Sequence, residues 1–199
     1  MNLPNKLTVL RIILVLVMII ISFFNIPGDV FGVPSLMIIL DVIFIVASIT
    51  DHLDGKIARK TNQVTTFGKF LDPIADKVLV ITSMIMLVEF DKIPAWIPAI
   101  VVFREFVVSG YRLIAVEKGG KVIAASIWGK LKTVTQMIAI IFAFIDLNSF
   151  GTVFKGELKG IPLAINIVTT LMMILSTIAT IFSGYDYVKD GKDLLLQDK

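Results

Sequence analysis

The 199-residue chain has no cysteine and a single histidine, His52. Without thiols there is no disulfide, no thiolate nucleophile and no cysteine-based metal site, and one histidine leaves a serine–histidine triad little to draw on. Proline is sparse, at 7 residues, and no Pro-rich, Ser-rich or low-complexity linker separates one part of the chain from another. No segment repeats another, so neither a repeat array nor a second domain is indicated, and residues 1–199 read as one domain. The net charge is only +3. That balance gives no support to nucleic-acid binding and fits topology signalling and attraction to anionic lipid headgroups.

Apolar sequence is what the chain has in abundance: 56% of its residues are hydrophobic and the mean hydropathy is +0.89. A spanning helix needs about 20 predominantly apolar residues. Such runs recur near 7–24, 34–50, 70–90, 94–116, 131–147 and 161–183, which predicts an all-α, polytopic membrane protein with six transmembrane helices. No small-x-small cleavage site follows the first run around Ser22–Pro27, so it reads as a retained anchor rather than a signal peptide. Lysines and arginines are enriched in short cytoplasmic connections. With the N-terminus inside, Lys6, Arg11, Lys56, Arg59, Lys60, Lys69, Lys118, Lys121, Lys130 and Lys132 fall on the cytoplasmic side, whereas the outer connections hold only Lys92, Lys155 and Lys159.

Set into this background is the pattern D-x2-D-G-x2-A-R-x8-G-x3-D-x3-D, from Asp51 to Asp76. Carboxylates in a bilayer are expensive and by default mark a functional site facing a bundle interior or an aqueous cavity. Asp51, Asp54, Gly55, Ala58 and Arg59 step along one stripe of a helix, and Gly68, Asp72 and Asp76 step by four along the next. The short connection near Lys60–Thr66 predicts antiparallel neighbours with the two stripes facing, opening toward the cytoplasm. Four ionised carboxylates so placed repel one another strongly unless cations share the site. All-oxygen ligation suits magnesium, manganese or calcium, and two such ions about 3.5–4 Å apart form a clamp suited to displacement at phosphorus. Gly55, Ala58 and Gly68 leave room for a flat group where the stripes meet; close helix packing through small residues is the alternative. For the aspartates the alternatives are a proton relay or an ion path.

At every fixed position the pattern resembles the signature of the CDP-alcohol phosphotransferase family. The resemblance implies that Asp51, Asp54, Asp72 and Asp76 bind two divalent cations, Mg2+ or Mn2+, which hold the pyrophosphate of a CDP-linked donor. It also makes Asp76 the general base, and puts Gly55, Ala58, Arg59 and Gly68 against the donor. Three further segments resemble the bacterial branch that joins CDP-diacylglycerol to glycerol 3-phosphate: residues 2–11, Arg104-Glu105-Phe106 with Ser109-Gly110-Tyr111-Arg112, and Gly129-Lys130-Leu131-Lys132-Thr133 with Gln136. This implies a phosphatidyltransferase of the bacterial cytoplasmic membrane that forms phosphatidylglycerophosphate and CMP, and a homodimer. Within the class the acceptor could instead be serine, inositol phosphate or phosphatidylglycerol; outside it stands a carboxylate-based cation transporter.

Arg104 and Arg112 are eight apart, hence on one helix face, and Lys130 and Lys132 enter the fifth span. Together they read as a site for an acceptor phosphate, which arginine recognises bidentately. A positive-inside belt snorkelling to headgroups is the alternative for Arg112, Lys130 and Lys132. Arg104 lies deeper and needs a partner; Glu105 is expected to point elsewhere, leaving a bound anion or an aspartate. Thr8 and Arg11, one helical step apart, are placed to touch donor phosphates or to form an interfacial anchor. His52 reads as a surface residue, Trp96 and Trp128 as interfacial anchors, and Asp41 as lying outside the metal cluster, with no assigned role.

Overall fold

The computed structural model describes residues 2–61, 66–117 and 127–196; the side chains of 3, 52–61, 66, 67, 69, 70, 116, 117 and 190–196 lie outside the described residues. Among the described residues there are six α-helices: α1 (Leu3–Ser22), α2 (Ser35–Thr61), α3 (Thr66–Glu89), α4 (Trp96–Glu117), α5 (Ile127–Ile145) and α6 (Gly160–Leu196). Each expected run falls within or overlaps one helix. Two helices outlast their apolar runs, because α2 continues through the aspartate stripe to Thr61 and α6 continues to Leu196. By length and composition α1 from Pro4, α5, and α6 as far as Lys189 are apolar enough to cross a membrane among the described residues. Three of the six expected spans are supported in this way among the described residues.

The distribution of side chains is that of a membrane protein. Leu10, Ile13, Leu16 and Ile20 on α1, Phe103, Phe106 and Leu113 on α4, and Leu171, Leu175 and Ile178 on α6 are exposed, whereas Thr8, Arg11, Asp41, Lys132, Gln136, Asn166 and Thr170 are buried. In water such apolar surface would drive association. In lipid there is no cost in exposing it, and polar groups turn inward to pair with one another.

The chain divides into two compact units, residues 1–93 with 141–149, and residues 94–140 with 150–199. In the first, α1 packs extensively on both α2 and α3. Pro4 opens α1 in its first turn, where no intrahelical N–H is needed. A two-residue hairpin returns the chain from α1 to α2, pairing Asp29 with Pro34 and Val30 with Val33. Its turn residues Phe31 and Gly32 both have positive φ, 55° and 83°, the twist that a tight hairpin requires. The core holds Val15, Met18, Leu40, Phe44, Leu79 and Met84, with Phe144 against Phe44 at 6.5 Å between ring centroids.

In the second unit α4 packs along α6. The segment before α6 is pinned to it by two buried side chains, since Gly151 N–H donates to Thr170 Oγ1 (3.1 Å) and Val153 N–H to Asn166 Oδ1 (2.7 Å). Trp128 is stacked on Phe182 at 4.9 Å and Trp96 lies edge-on to Phe150 at 6.2 Å. Both tryptophans sit at helix starts and remain partly exposed, as interfacial residues do.

Candidate active site

In the first unit, α1 reaches both aspartate-bearing helices. Thr8 and Arg11 are three residues apart and share a helix face. Thr8 Oγ1 donates to Asp72 Oδ1 at 2.7 Å, and Arg11 Nη1 lies 2.8 Å from Asp51 Oδ1. Arg11 is 0% exposed while the Asp51 side chain keeps 39% of its surface. The guanidinium is thus buried behind a carboxylate whose outer edge still meets solvent. A buried arginine without a counter-charge would be very costly, so the pair supports α1 as much as it orients Asp51. The complete burial of Arg11 and Thr8 replaces the interfacial-anchor alternative, because both side chains turn into the bundle. α1 thus braces one described residue of each aspartate-bearing helix.

Gly68 is buried at the start of α3, and Asp72 and Asp76 follow at one-turn intervals, each partly exposed. Pro73 lies between the two aspartates. It cannot donate to the carbonyl of residue 69, which leaves that acceptor outside the helical ladder next to the site. The side chains of Asp54, Gly55, Ala58 and Arg59 and of His52 lie outside the described residues. Among the described residues no three acidic or histidine side chains form a group able to hold a metal ion; of the four expected ligands, Asp51, Asp72 and Asp76 are described. Their chemistry fits a hard divalent cation, being carboxylate oxygen with no nitrogen or sulfur donor and, at Asp51, a water-accessible edge. Asp41 is buried on α2, and its Oδ1 has no hydrogen-bond partner among the described residues.

The basic residues of the second unit form a connected network. Arg104 Nη1 binds Glu105 Oε1 at 2.8 Å, and Lys132 Nζ reaches the same oxygen from α5 at 2.7 Å. The expectation that Glu105 points away from Arg104 is therefore corrected. Successive positions diverge by about 100° around a helix, but both side chains are long enough to meet across its surface, and Lys132 draws the carboxylate toward them. Arg104 Nη2 also donates to Ser183 Oγ of α6 at 2.5 Å. Its aliphatic stem crosses α6 at Gly184, where an added Cβ would lie 3.4 Å from Arg104 Cγ. Farther along, Arg112 Nη2 donates to Tyr187 Oη at 2.8 Å. Both guanidinium carbons stand close to the Tyr187 ring, at 5.7 Å for Arg104 and 5.5 Å for Arg112. Lys130 is exposed at the start of α5. Three cations, Arg104, Arg112 and Lys132, thus gather around one carboxylate and one phenol.

Ser183 and Tyr187, the partners of Arg104 and Arg112 on α6, were not singled out by sequence reasoning, and Glu105 was expected to point elsewhere. Ser183 and Tyr187 are four apart, one turn of α6, where its apolar run ends. That spacing was readable in advance; their partners on α4 were not. An apolar cavity of about 600 Å³ lies beside them between α4 and α6, with Trp96 and Tyr185 among its walls and Arg104 as its charged member.

Comparison with known proteins gives the family. A sequence model of the CDP-alcohol phosphatidyltransferase family matches residues 1–182. The chain is 40% identical to the CDP-diacylglycerol–glycerol-3-phosphate 3-phosphatidyltransferase of Bacillus subtilis (strain 168), over 98% of this chain and 97% of the relative. It is 34% identical to the protein of that name from Haemophilus influenzae, over 99% and 97%, and 37% identical to that from Rickettsia typhi, over 96% and 97%. A match that runs through both units and nearly the full length of each relative leaves one conclusion, that this chain belongs to the CDP-alcohol phosphatidyltransferase family, also called the CDP-alcohol phosphotransferases.

Proposed function

We propose that the protein transfers the phosphatidyl group of CDP-diacylglycerol to the primary hydroxyl of sn-glycerol 3-phosphate, yielding phosphatidylglycerophosphate and CMP. The observation that carries this reading is the bracing of Asp51 and Asp72 by Arg11 and Thr8, in a chain whose full-length relatives are named for that reaction. One family match across residues 1–182 supports a single functional domain. All six helices span the bacterial cytoplasmic membrane in this proposal, with the aspartates at its cytoplasmic face, and the protein works as a homodimer.

Asp51, Asp54, Asp72 and Asp76 would hold two divalent cations, Mg2+ or Mn2+, which when bound neutralise the donor pyrophosphate and the charge that develops on the phosphoryl oxygens. Arg11 and Thr8 hold Asp51 and Asp72 in place, so the ligands are ordered before the donor arrives. Gly55, Ala58 and Gly68 leave space for the cytidine, and Arg59 lies against the phosphates. Asp76 accepts the proton of the glycerol 3-phosphate hydroxyl. The freed oxygen attacks the phosphorus that carries diacylglycerol, the bond to the cytidylate oxygen breaks, and CMP leaves. Direct transfer needs no covalent enzyme intermediate. Arg104, Arg112, Lys130 and Lys132 hold the acceptor phosphate, with Glu105 keeping Arg104 and Lys132 together.

The test is CMP release by purified protein supplied with CDP-diacylglycerol and an acceptor panel of glycerol 3-phosphate, serine, inositol phosphate, phosphatidylglycerol and glycerol. Glycerol 3-phosphate alone should support turnover. Faster release with serine or phosphatidylglycerol would reassign the acceptor, and cation flux in liposomes without CMP release would reject the enzyme reading. The donor pocket has a separate test. Gly68→Leu adds bulk at a buried position one turn before Asp72 and should abolish measurable CDP-diacylglycerol binding in a protein that still purifies as a folded species. Normal donor binding by that variant would make Gly68 a packing residue only.

A further inference from the structure

We infer that Tyr187 is a positioning residue for the acceptor: it sets Arg112 for the phosphate of glycerol 3-phosphate. This rests on the assignment of the Arg104 and Arg112 group as the acceptor site and adds to it a residue from α6. Arg112 is exposed, and a free arginine samples many rotamers whose freedom is lost when it binds an anion. The structure removes that freedom beforehand. The phenol oxygen accepts a hydrogen bond from Arg112 Nη2 at 2.8 Å, and the ring lies 5.5 Å from its guanidinium carbon. Tyr187 can do this because it is itself immobile, at 1% exposure, with Arg104 also against its ring at 5.7 Å. Arg104 in turn is held by Glu105 and Ser183.

One buried ring therefore lies close to two cations that would otherwise repel each other. The π face attracts each guanidinium electrostatically within about 6 Å, while the hydroxyl distinguishes them, because among the described residues it accepts from Arg112 and not from Arg104. Nη2 is committed to Tyr187, which turns the rest of the planar fork in a fixed direction and leaves its remaining N–H groups for an anion. Lysine could not be held in this way, since a freely rotating ammonium has no plane to fix.

The ring and the hydroxyl are separable. Tyr187→Phe keeps the ring contacts to both arginines and deletes only the hydrogen bond to Arg112. In the full-length enzyme we expect it to raise the KM for glycerol 3-phosphate by about 3- to 10-fold, the effect of one modest hydrogen bond. The KM for CDP-diacylglycerol and kcat at saturating acceptor should stay within about twofold. Introduced into Arg112→Ala, the same substitution should change the acceptor KM by less than about twofold, because its target is gone. Tyr187→Leu, which removes ring and hydroxyl together, should exceed the effect of Tyr187→Phe. An unchanged acceptor KM in Tyr187→Phe, beside a large change in Arg112→Ala, overturns the role of Tyr187 alone. An equal effect of Tyr187→Phe with and without Arg112 also overturns it, by making the hydroxyl a general packing element. If Arg112→Ala itself leaves acceptor dependence intact, the acceptor-site assignment falls and the inference falls with it.

Discussion

Asp76→Asn is expected to abolish CMP release while leaving substantial CDP-diacylglycerol binding. General base catalysis alone contributes about 10²- to 10⁴-fold, and Asp76 is assigned a second role as cation ligand, so the combined loss should reach or exceed the top of that range. Binding should survive because Asp51 and Asp72 keep their supports from Arg11 and Thr8. Asparagine has nearly the shape of aspartate and preserves one carbonyl oxygen, so the fold of α3 is not at stake. The measurement is single-turnover CMP release beside equilibrium binding of the donor, at saturating magnesium and after chelation. Chelation should silence the wild type as completely as the substitution does. Turnover near the wild-type rate in Asp76→Asn would remove Asp76 from the role of base, and full activity without a divalent cation would remove the ions from the mechanism.

The second large effect is expected at Arg112. Arg112→Ala should raise the KM for glycerol 3-phosphate by about 10- to 150-fold, the range of a charge-assisted phosphate contact. The lower part of that range is favoured because Arg112 is exposed and water screens it. The KM for CDP-diacylglycerol should move much less. Arg112→Lys should recover only part of the loss, since it keeps the charge but has neither the fork nor the bond geometry that Tyr187 accepts. Steady-state kinetics with each substrate varied in turn separates the outcomes. Unchanged acceptor dependence in both variants would place Arg112 in the positive-inside belt, and equal turnover of unphosphorylated glycerol would reject the phosphate site.

The two supports of the aspartate cluster differ in what they contribute. Arg11 is a buried charge whose partner is a carboxylate, so its removal strands Asp51 and also opens a gap in α1. Thr8 donates a single hydrogen bond to Asp72. Together they give a helix with no aspartate of its own a place in the proposed site.

Helix number and approximate position were readable from the apolar runs, because a spanning segment must be long and continuously apolar whatever surrounds it. The aspartate stripes were readable for a similar reason: residues three and four apart share a face of any regular helix. Where sequence reasoning stopped short, the missing information was which helix lies against which. Thr8 meets Asp72 across 64 positions, Arg104 meets Ser183 across 79 and Arg112 meets Tyr187 across 75. No local periodicity encodes such pairs, since they depend on helix rotation and on the reach of long side chains across the packed interface. Glu105 shows the same limit at short range. Helical geometry alone turned it away from Arg104, but Lys132, arriving from α5, draws its carboxylate into the pair. The sequence by itself thus determined the chemistry available, carboxylates suited to cations and arginines suited to an anion, because residue type and helical phase are local properties. Only the tertiary structure decided which of those groups are braced and by what, because the balance of burial and pairing for a charge is settled by neighbours that come from elsewhere in the chain.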